Sequence, residues 1–312
     1  MKILTAVVNN PAFIEIQYHT FKKYFRGMGG DGDGDGDGDG DGNDNNEYEF
    51  IVFNDAKPFH DVTNDGDITI RARIEETCRN LGIKCISIPN DHHVNMSMSN
   101  RHADTFNNHV LKYQIQNPDK YLLIDSDMFL IDYLDLSKTY FKYDCALVLQ
   151  QRANLNYFWP GLCYLDFTKI ENINLLDWRT GHGGDTGGSM RDWLLKKHMV
   201  ADLPKVADLP NCDDLRWAAK DKIFHNEASS IYFIRHLWSC SWNENELPER
   251  YRIRADLIQF LKEDVRNIGG KFYCEIYDDV FLHYRAGGNW NKEGLALHNR
   301  LTNKLKGVLM KG

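Results

Sequence analysis

The sequence predicts an α/β fold: a mainly parallel central sheet flanked by helices, in one domain with an elaborated carboxyl-terminal half. Short apolar runs alternate with segments of helical periodicity in the amino-terminal half, as in successive βαβ units. Polar residues directly follow three of these runs, which is where parallel sheets bind ligands. No linker rich in Pro, Gly or Ser divides the chain, so a single domain over residues 1–312 is expected.

In the amino-terminal half, each predicted strand is a short apolar run that stops at Asn, Asp or Pro, as buried strands stop at loops. The predicted strands span residues 3–8, 48–53, 85–88 and 121–124. The helices between them repeat apolar residues at spacings of three and four, and the last of them ends before Pro118. The predicted helices span a segment after Pro11, residues 68–81 and residues 100–116.

Six Asp-Gly pairs at residues 31–42 separate the first helix from the second strand. Gly loses the most backbone entropy on ordering, and neighbouring Asp residues repel one another. We therefore expect a disordered, inert loop insertion over about residues 28–46. Calcium binding is the less favoured interpretation, because the tract lacks the final Glu of an EF-hand loop.

Composition disfavours several classes of protein. The formal charge is −8, but six of the 45 acidic residues belong to the Asp-Gly tract, and the other 39 stand against 37 basic residues. A nearly neutral folded part without a basic stripe disfavours nucleic-acid binding. No apolar run reaches the roughly 20 residues of a membrane span, and the start of the chain does not resemble a signal peptide. Seven scattered Cys fit reduced thiols, so a cytoplasmic protein is expected.

The carboxyl-terminal half is less regular. Its predicted strands span residues 146–149, 162–167 and 280–284, and its predicted helices span residues 189–198 and 292–306. Trp238 and Trp242 are four residues apart, which favours core positions at the end of a helix. Stacking of these two rings on a ligand is the alternative.

The strongest chemical signal is Asp125-Ser126-Asp127, which lies between two apolar runs. In an extended segment, residues two apart point the same way, so both carboxylates can face one cation. Two carboxylates this close need a cation or strong hydrogen bonds to stay ionised. The alternative is a solvated turn, but the apolar residues on both sides favour a buried base for the motif.

A second cluster of functional residues accompanies the predicted strand at residues 280–284. His283 lies on this strand, and Arg285 adds a fixed positive charge. Gly287-Gly288 allows backbone N–H groups to approach a ligand closely, as in phosphate-binding loops. Trp290 completes the pattern H-x-x-x-G-G-x-W.

Together, the early βαβ half, the D-x-D motif after a strand and the late H-x-x-x-G-G-x-W resemble a metal-dependent glycosyltransferase of the GT-A type, which has a Rossmann-like fold. The chain is similar to glycosyltransferase family 8 and to related enzymes of large DNA viruses and bacteria. The similarity runs from Lys2 to about Trp290, interrupted by the Asp-Gly tract. Family 8 ends its motif in Lys-Pro-Trp, whereas this chain has Asn289-Trp290, and Arg285 is the candidate replacement for the missing Lys.

The resemblance implies transfer of a sugar from a nucleotide-sugar donor, expected to be a UDP-sugar, to a hydroxyl of a carbohydrate or glycoconjugate acceptor. It implies that Mn²⁺ or Mg²⁺ is bound by Asp125, Asp127 and His283. The residues implied to hold the donor are Asn9, Asn10, Asp55, Arg101, Ser126, Arg285, Gly287, Gly288 and Trp290.

Two carboxylates are candidates for the base that deprotonates the acceptor: Asp185, in a Gly-rich segment, and Glu227. The structural alternatives are a turn or helix cap for Asp185 and a surface position for Glu227. Two other functions stay open. One is a haloacid dehalogenase-like phosphohydrolase, in which Asp125 is the nucleophile. The other is a catalytically inactive protein that binds a nucleotide or sugar on the same fold.

Overall fold

The computed structural model describes residues 1–26, 48–89, 96–152, 155–182, 184–193, 231–286, 290 and 294–311. Over these residues the protein is α/β, with a mostly parallel seven-stranded sheet flanked by helices, which confirms the predicted α/β class and mainly parallel sheet. The strands are β1 (Lys2–Val7), β2 (Phe25–Arg26), β3 (Glu49–Asn54), β4 (Lys84–Ser87), β5 (Lys120–Asp125), β6 (Met128–Leu130), β7 (Leu134–Asp135), β8 (Cys145–Arg152), β9 (Leu155–Asp166), β10 (Ile231–Phe233), β11 (His236–Leu237), β12 (Glu275–Tyr277) and β13 (Phe281–His283). The α-helices are α1 (Pro11–Tyr24), α2 (Ile70–Asn80), α3 (Met98–Thr105), α4 (Leu111–Gln116), α5 (Glu249–Arg252), α6 (Ala255–Lys262) and α7 (Leu295–Leu309).

The central sheet has the strand order β10-β8-β9-β5-β1-β3-β4. Strands β5, β1, β3 and β4 are parallel, whereas β9 runs antiparallel to both of its neighbours, β5 and β8. The carboxyl ends of β5, β1 and β3 therefore lie side by side. Because β9 runs in the opposite direction, its amino-terminal part extends past the same edge.

Both faces of this sheet are buried because side chains alternate between two apolar layers along each strand. Ile3 and Val7 of β1 pack in one layer with α1 and α2. Leu4 and Ala6 of the same strand pack in the other layer with the helical segment that contains α4. Because β1 is buried on both faces, most of its residues are apolar, and this explains the apolar run in the sequence.

The helical segment between β4 and β5 contains a π-helical turn, Phe106–Val110, which joins α3 to α4. The sequence predicts one uninterrupted helix here with nearly the same bounds. Arg101 and Thr105 are buried polar residues before the π turn, and Leu111 is buried in the apolar layer after it. A π turn takes one more residue than an α turn, so it shifts the phase of the side chains on either side of it.

Four short strands form a second, antiparallel sheet in the order β11-β12-β13-β6. Strand β6 directly follows the D-x-D motif and pairs with β13, with Met128 opposite His283. This pairing joins two segments that are far apart in the sequence. A third apolar layer packs this sheet against α6 and α7.

One sequence prediction about the carboxyl-terminal half is wrong. Trp238 and Trp242 do not lie at a helix end, because β11 leads into a turn. In this turn Cys240 N donates to the Phe272 carbonyl, and the Trp242 carbonyl accepts from Phe272 N. Trp242 is nevertheless a core residue, fully buried, with its indole N–H donating to the Cys274 carbonyl at 2.9 Å. Of the predicted helix 189–198, residues 190–193 are helical and the last five lie outside the described residues, as does the Asp-Gly tract.

In the part of the chain that the structure describes, no helix is both long enough and apolar enough to cross a membrane.

Candidate metal centre and adjoining cavity

The D-x-D motif and the late histidine meet at one point. Asp125 is the last residue of β5, Asp127 directly precedes β6, and His283 is the last residue of β13. Ligand atoms of these three side chains all lie within 4.8 Å of one another. The three predicted metal ligands are therefore brought together, although they come from two different sheets.

Hydrogen bonds fix the turn that carries the two carboxylates. Gln17 of α1 donates through Nε2 to the Asp125 carbonyl at 2.7 Å. The Asp127 carbonyl accepts from Tyr284 N at 2.9 Å, and the Asp127 carboxylate accepts from Ala286 N. The Asp127 side chain is thus buried and held in place, while that of Asp125 is 18% exposed.

A buried glutamate orients His283. Glu275 Oε2 lies 2.9 Å from His283 Nδ1 and also accepts from the Tyr277 hydroxyl at 2.8 Å. The other ring nitrogen, Nε2, faces Asp127 Oδ1 at 3.2 Å. Histidines that bind metals commonly donate their second N–H to a carboxylate, so this arrangement leaves Nε2 for a cation. No motif in the sequence marks Glu275.

The pKa shifts in this cluster reflect its excess of carboxylates. Burial and the neighbouring Asp127 carboxylate raise the pKa of Asp125. Burial lowers the pKa of His283, but the Asp127 and Glu275 carboxylates outweigh burial and raise that pKa to about 10. Burial disfavours the ionised form of Glu275, yet the His283 hydrogen bond and charge lower its pKa to about 2. Such a cluster favours an added positive charge.

The donor set fits a divalent cation. Two carboxylates and one imidazole can hold a metal ion here. Carboxylate oxygens suit both Mg²⁺ and Mn²⁺, whereas the imidazole nitrogen favours Mn²⁺, because Mg²⁺ prefers oxygen ligands.

A cavity of about 260 Å³ adjoins the cluster at the carboxyl ends of the parallel strands. The strand order places Trp159 of β9, Asp125 of β5, Asn9 after β1 and Asp55 after β3 in a row along it. Neighbouring strands are about 4.8 Å apart, so this row spans roughly 14 Å. An elongated ligand can therefore contact several strand ends at once.

Two of the predicted donor-binding residues are already paired within the protein. Asp55 accepts from Lys57 Nζ through Oδ1 and from the Thr105 hydroxyl through Oδ2, each at 2.8 Å. Arg101 pairs with Asp61 at 2.7 Å, and both of these side chains are at most 5% exposed. Each of the two cations that line the cavity, Lys57 and Arg101, is therefore paired with a buried carboxylate.

Asn9 and Ser126 present their side chains to the cavity. Among the described residues, neither side chain has a hydrogen-bond partner, so both are available to a ligand. Asn10 differs, because its Oδ1 caps α1 by accepting from Ala12 N at 3.1 Å and its Nδ2 donates to Thr302 at 3.2 Å. Both polar groups of the Asn10 side chain are thus used within the protein, and a contact with the donor would have to replace one of these two hydrogen bonds.

Asp185 lines the cavity from the Gly-rich segment at residues 181–188. Gly187 has φ +90°, and a Cβ there would lie 1.8 Å from the Phe158 carbonyl oxygen. This glycine therefore allows the segment to pack tightly on β9, which supports the interpretation as a tight turn. The same packing presents Asp185 to the cavity, and its role as a base stays a prediction.

The remaining predicted residues lie in different surroundings. Arg285 has φ +62° and pairs with Glu275 at 3.6 Å, so its charge faces the carboxylate that orients His283. Trp290 is 3% exposed and stacks on His298 at 4.7 Å in the core. Three predicted site residues lie outside the described part of the chain: Glu227, Gly287 and Gly288.

Two further cavity residues, His102 and Trp159, were not identified from the sequence. His102 Nε2 is 3.8 Å from Asp125 Oδ1, and the Trp159 ring is 5.1 Å from that of His283. Trp159 leans over Gly161, where a Cβ would lie 2.0 Å from the indole. Gly161 lies two residues after Trp159 and on the same face of β9, so it leaves room for the indole. This spacing is the sequence signal that could have identified Trp159.

An aromatic stack leads from the cavity into the protein. Trp159 stacks on Tyr277 at 5.7 Å, and Tyr277 stacks on His236 at 5.5 Å. Burial lowers the pKa of His236 to about 4. In the described residues, nothing hydrogen-bonds to the buried Nε2 of His236. The fold therefore holds this imidazole in its neutral form.

We expect His236 to make the fold sensitive to acid. The unfolded histidine titrates near pH 6.5, so between pH 6.5 and 4 the unfolded state takes up a proton that the folded state does not. The free energy of unfolding should fall by about 2–3 kcal/mol as the pH falls through this window. Urea denaturation from pH 7.5 to 4.5 should show a smaller fall for His236→Phe and a wild-type fall for His19→Phe, which changes an exposed histidine. Identical curves for wild type and His236→Phe would contradict this account.

Comparisons with protein-family models and with curated proteins give no match to this sequence. A functional interpretation therefore depends on the geometry and chemistry of the site itself.

Proposed function

We propose that this protein is a metal-dependent glycosyltransferase that transfers a sugar from a nucleotide sugar, specifically a UDP-sugar, to a hydroxyl of a carbohydrate or glycoconjugate acceptor. The observation that carries the proposal is the convergence of Asp125, Asp127 and His283 beside a cavity at the carboxyl ends of parallel strands. This edge of an α/β sheet commonly binds nucleotides.

The charges around the cavity support a role for a cation in binding the diphosphate. Asp125, Asp127 and His283 would hold Mn²⁺ or Mg²⁺, which when bound supplies positive charge that stabilises the leaving diphosphate. The cavity's own cationic side chains, Lys57 and Arg101, are each paired with a buried carboxylate. Among the described residues, the cations that line the cavity thus offer little net positive charge to a diphosphate.

Other cavity residues would bind and orient the two substrates. Asn9 offers an amide and Ser126 a hydroxyl to the nucleotide. Asp185 is the described candidate for the base that takes the proton from the acceptor hydroxyl. The indole of Trp159 helps to exclude water from the end of the cavity next to Asp125.

UDP should bind in the presence of Mn²⁺ and bind at least about tenfold more weakly in EDTA, because the diphosphate would then meet Asp125 and Asp127 without a compensating charge. Isothermal titration measures both affinities. Uridine, which lacks the diphosphate, is the matched control and should show no dependence on Mn²⁺. Equal UDP affinity in Mn²⁺ and in EDTA would argue against the metal centre.

Turnover assays separate the alternative functions. A phosphohydrolase with Asp125 as nucleophile would release phosphate from p-nitrophenyl phosphate without any nucleotide sugar. An inactive binder would bind UDP with Mn²⁺ but would neither hydrolyse nor transfer. Thermal shift measurements with UDP-, GDP- and CMP-sugars in Mn²⁺ would identify the donor for these assays.

A further inference from the structure

His102 of α3 lines the cavity beside Asp125 but does not belong to the cluster of candidate metal ligands. Its side chain is 25% exposed, and its Nε2 lies 3.8 Å from Asp125 Oδ1. The imidazole packs edge-on against Phe106 with the ring centroids 4.5 Å apart, which restricts its orientation. His102 is not one of the three residues whose ligand atoms lie within 4.8 Å of one another.

The hydrogen bonds of Thr186 determine which ring nitrogen of His102 carries the proton. The Thr186 hydroxyl donates its one hydrogen to the Ser99 carbonyl at 3.0 Å. Its oxygen lies 3.3 Å from His102 Nδ1 and must act there as an acceptor, so Nδ1 carries the hydrogen. In the neutral imidazole, Nε2 is then an acceptor.

The Nε2 lone pair of His102 is therefore close to a carboxylate oxygen of Asp125. Within the described part of the chain, nothing hydrogen-bonds to this buried Nε2 atom. Asp125 Oδ1 already accepts from Ser126 N at 3.1 Å, whereas the His102 Nε2 lone pair still lacks a donor, and a bound ligand can supply one. A diphosphate diester at neutral pH has acceptors alone, whereas a sugar has several hydroxyl donors. This position suits the sugar part of a nucleotide sugar better than its phosphates.

Trp159 adds an apolar surface to the same end of the cavity. The pairing of β5 with β9 ends at Ile124 and Leu162, so Trp159 extends past the end of β5. In the described residues its indole N–H has no hydrogen-bond partner. An aromatic ring with a polar N–H suits a sugar, which presents C–H groups between its hydroxyls. The other end of the row, at Asn9 and Asp55, is left for the nucleoside.

We infer that His102 recognises a hydroxyl of the transferred sugar through Nε2, in a sugar subsite formed by His102, Asp125 and Trp159. This inference rests on the proposed function, because it takes the ligand of the cavity to be a nucleotide sugar.

Isothermal titration in Mn²⁺ with UDP, UDP-glucose, UDP-galactose and UDP-N-acetylglucosamine tests the inference. The wild-type protein should bind at least one of these UDP-sugars more tightly than UDP. His102→Phe should bind that UDP-sugar about tenfold more weakly while binding UDP within about twofold of wild type. His102→Gln, whose amide oxygen can accept in place of Nε2, should recover most of the loss.

Several outcomes would overturn the inference and leave the proposed function standing. They are an equal loss for UDP and UDP-sugar in His102→Phe, no loss for either, or a wild type that binds every UDP-sugar no better than UDP. A weaker affinity of His102→Phe for Mn²⁺ alone would make His102 a metal ligand and also overturn it. A wild type that fails to bind UDP in Mn²⁺ would remove the proposed function and this inference together. His19→Phe, on the exposed side of α1, is the control for ring substitution, and melting temperatures check the folding of each variant.

Discussion

Replacement of Asp125 by asparagine is expected to weaken Mn²⁺ binding by about 100-fold and to slow sugar transfer by about 1000-fold. The substitution keeps the size of the side chain but removes one of the two carboxylates that face the cation. Because Asp125 is partly exposed and its charge lies beside that of Asp127, the folded state should lose little stability. Mn²⁺ titration followed by electron paramagnetic resonance, together with a turnover assay, measures the two effects.

Asp256→Asn is the matched control for this substitution. Asp256 is 48% exposed on α6 and does not line the cavity, so its variant should keep wild-type Mn²⁺ affinity. Asp127 is a less clean target, because its buried carboxylate also accepts from Ala286 N and its loss would disturb the fold. If Asp125→Asn bound Mn²⁺ as tightly as wild type, the assignment of the metal centre would be wrong.

Gly187→Ala is expected to lower the free energy of unfolding by about 3–5 kcal/mol. At φ +90° an alanine is strained, and its Cβ would lie 1.8 Å from the Phe158 carbonyl oxygen. A backbone atom cannot rotate away as a side chain can, so either β9 or the segment at residues 181–188 must move. Urea denaturation of the variant measures the loss.

Gly307→Ala is the matched control, because it makes the same substitution at a glycine whose added Cβ would meet no other atom. Gly307 lies inside α7, and no atom lies within 4 Å of the position of an added Cβ. Alanine there should raise the free energy of unfolding by about 0.5–1 kcal/mol. A Gly187→Ala variant as stable as wild type would mean that the segment carrying Asp185 packs on β9 in another way.

The sequence predicts the amino-terminal half of the central sheet well because the signals there are local, whereas β10 was not predicted. Apolar runs that end at Asn, Asp or Pro locate β1, β3, β4 and β5, and helical spacing locates α1 and α2. The pairing of β6 with β13 has no local signal, because nothing in either segment specifies its partner. The resemblance of these motifs to those of metal-dependent glycosyltransferases nevertheless implied that the two segments share one site.

The parts of the site that the sequence does not reveal are contacts that no motif specifies, whether between near or distant residues. Neither Lys57, which pairs with Asp55, nor Asp61, which pairs with Arg101, belongs to a motif. The two ion pairs, and their effect on the charge of the cavity, can therefore be seen only in the structure. His102 likewise has no recognisable pattern around it. Misinterpretation of the Trp238 segment has another cause, since a spacing of four residues fits a tight turn as well as a helix.

The π-helical turn at Phe106–Val110 has a consequence for the length of the chain in this region. Each residue of an α-helix turns its successor by about 100°. Deletion of one residue from the turn would rotate α3 about its axis relative to α4. If Leu111 of α4 kept its place in the apolar layer, Arg101 and His102 of α3 would then point away from the cavity. The number of residues in this single turn therefore sets the direction in which Arg101 and His102 point, and so the composition of the cavity wall.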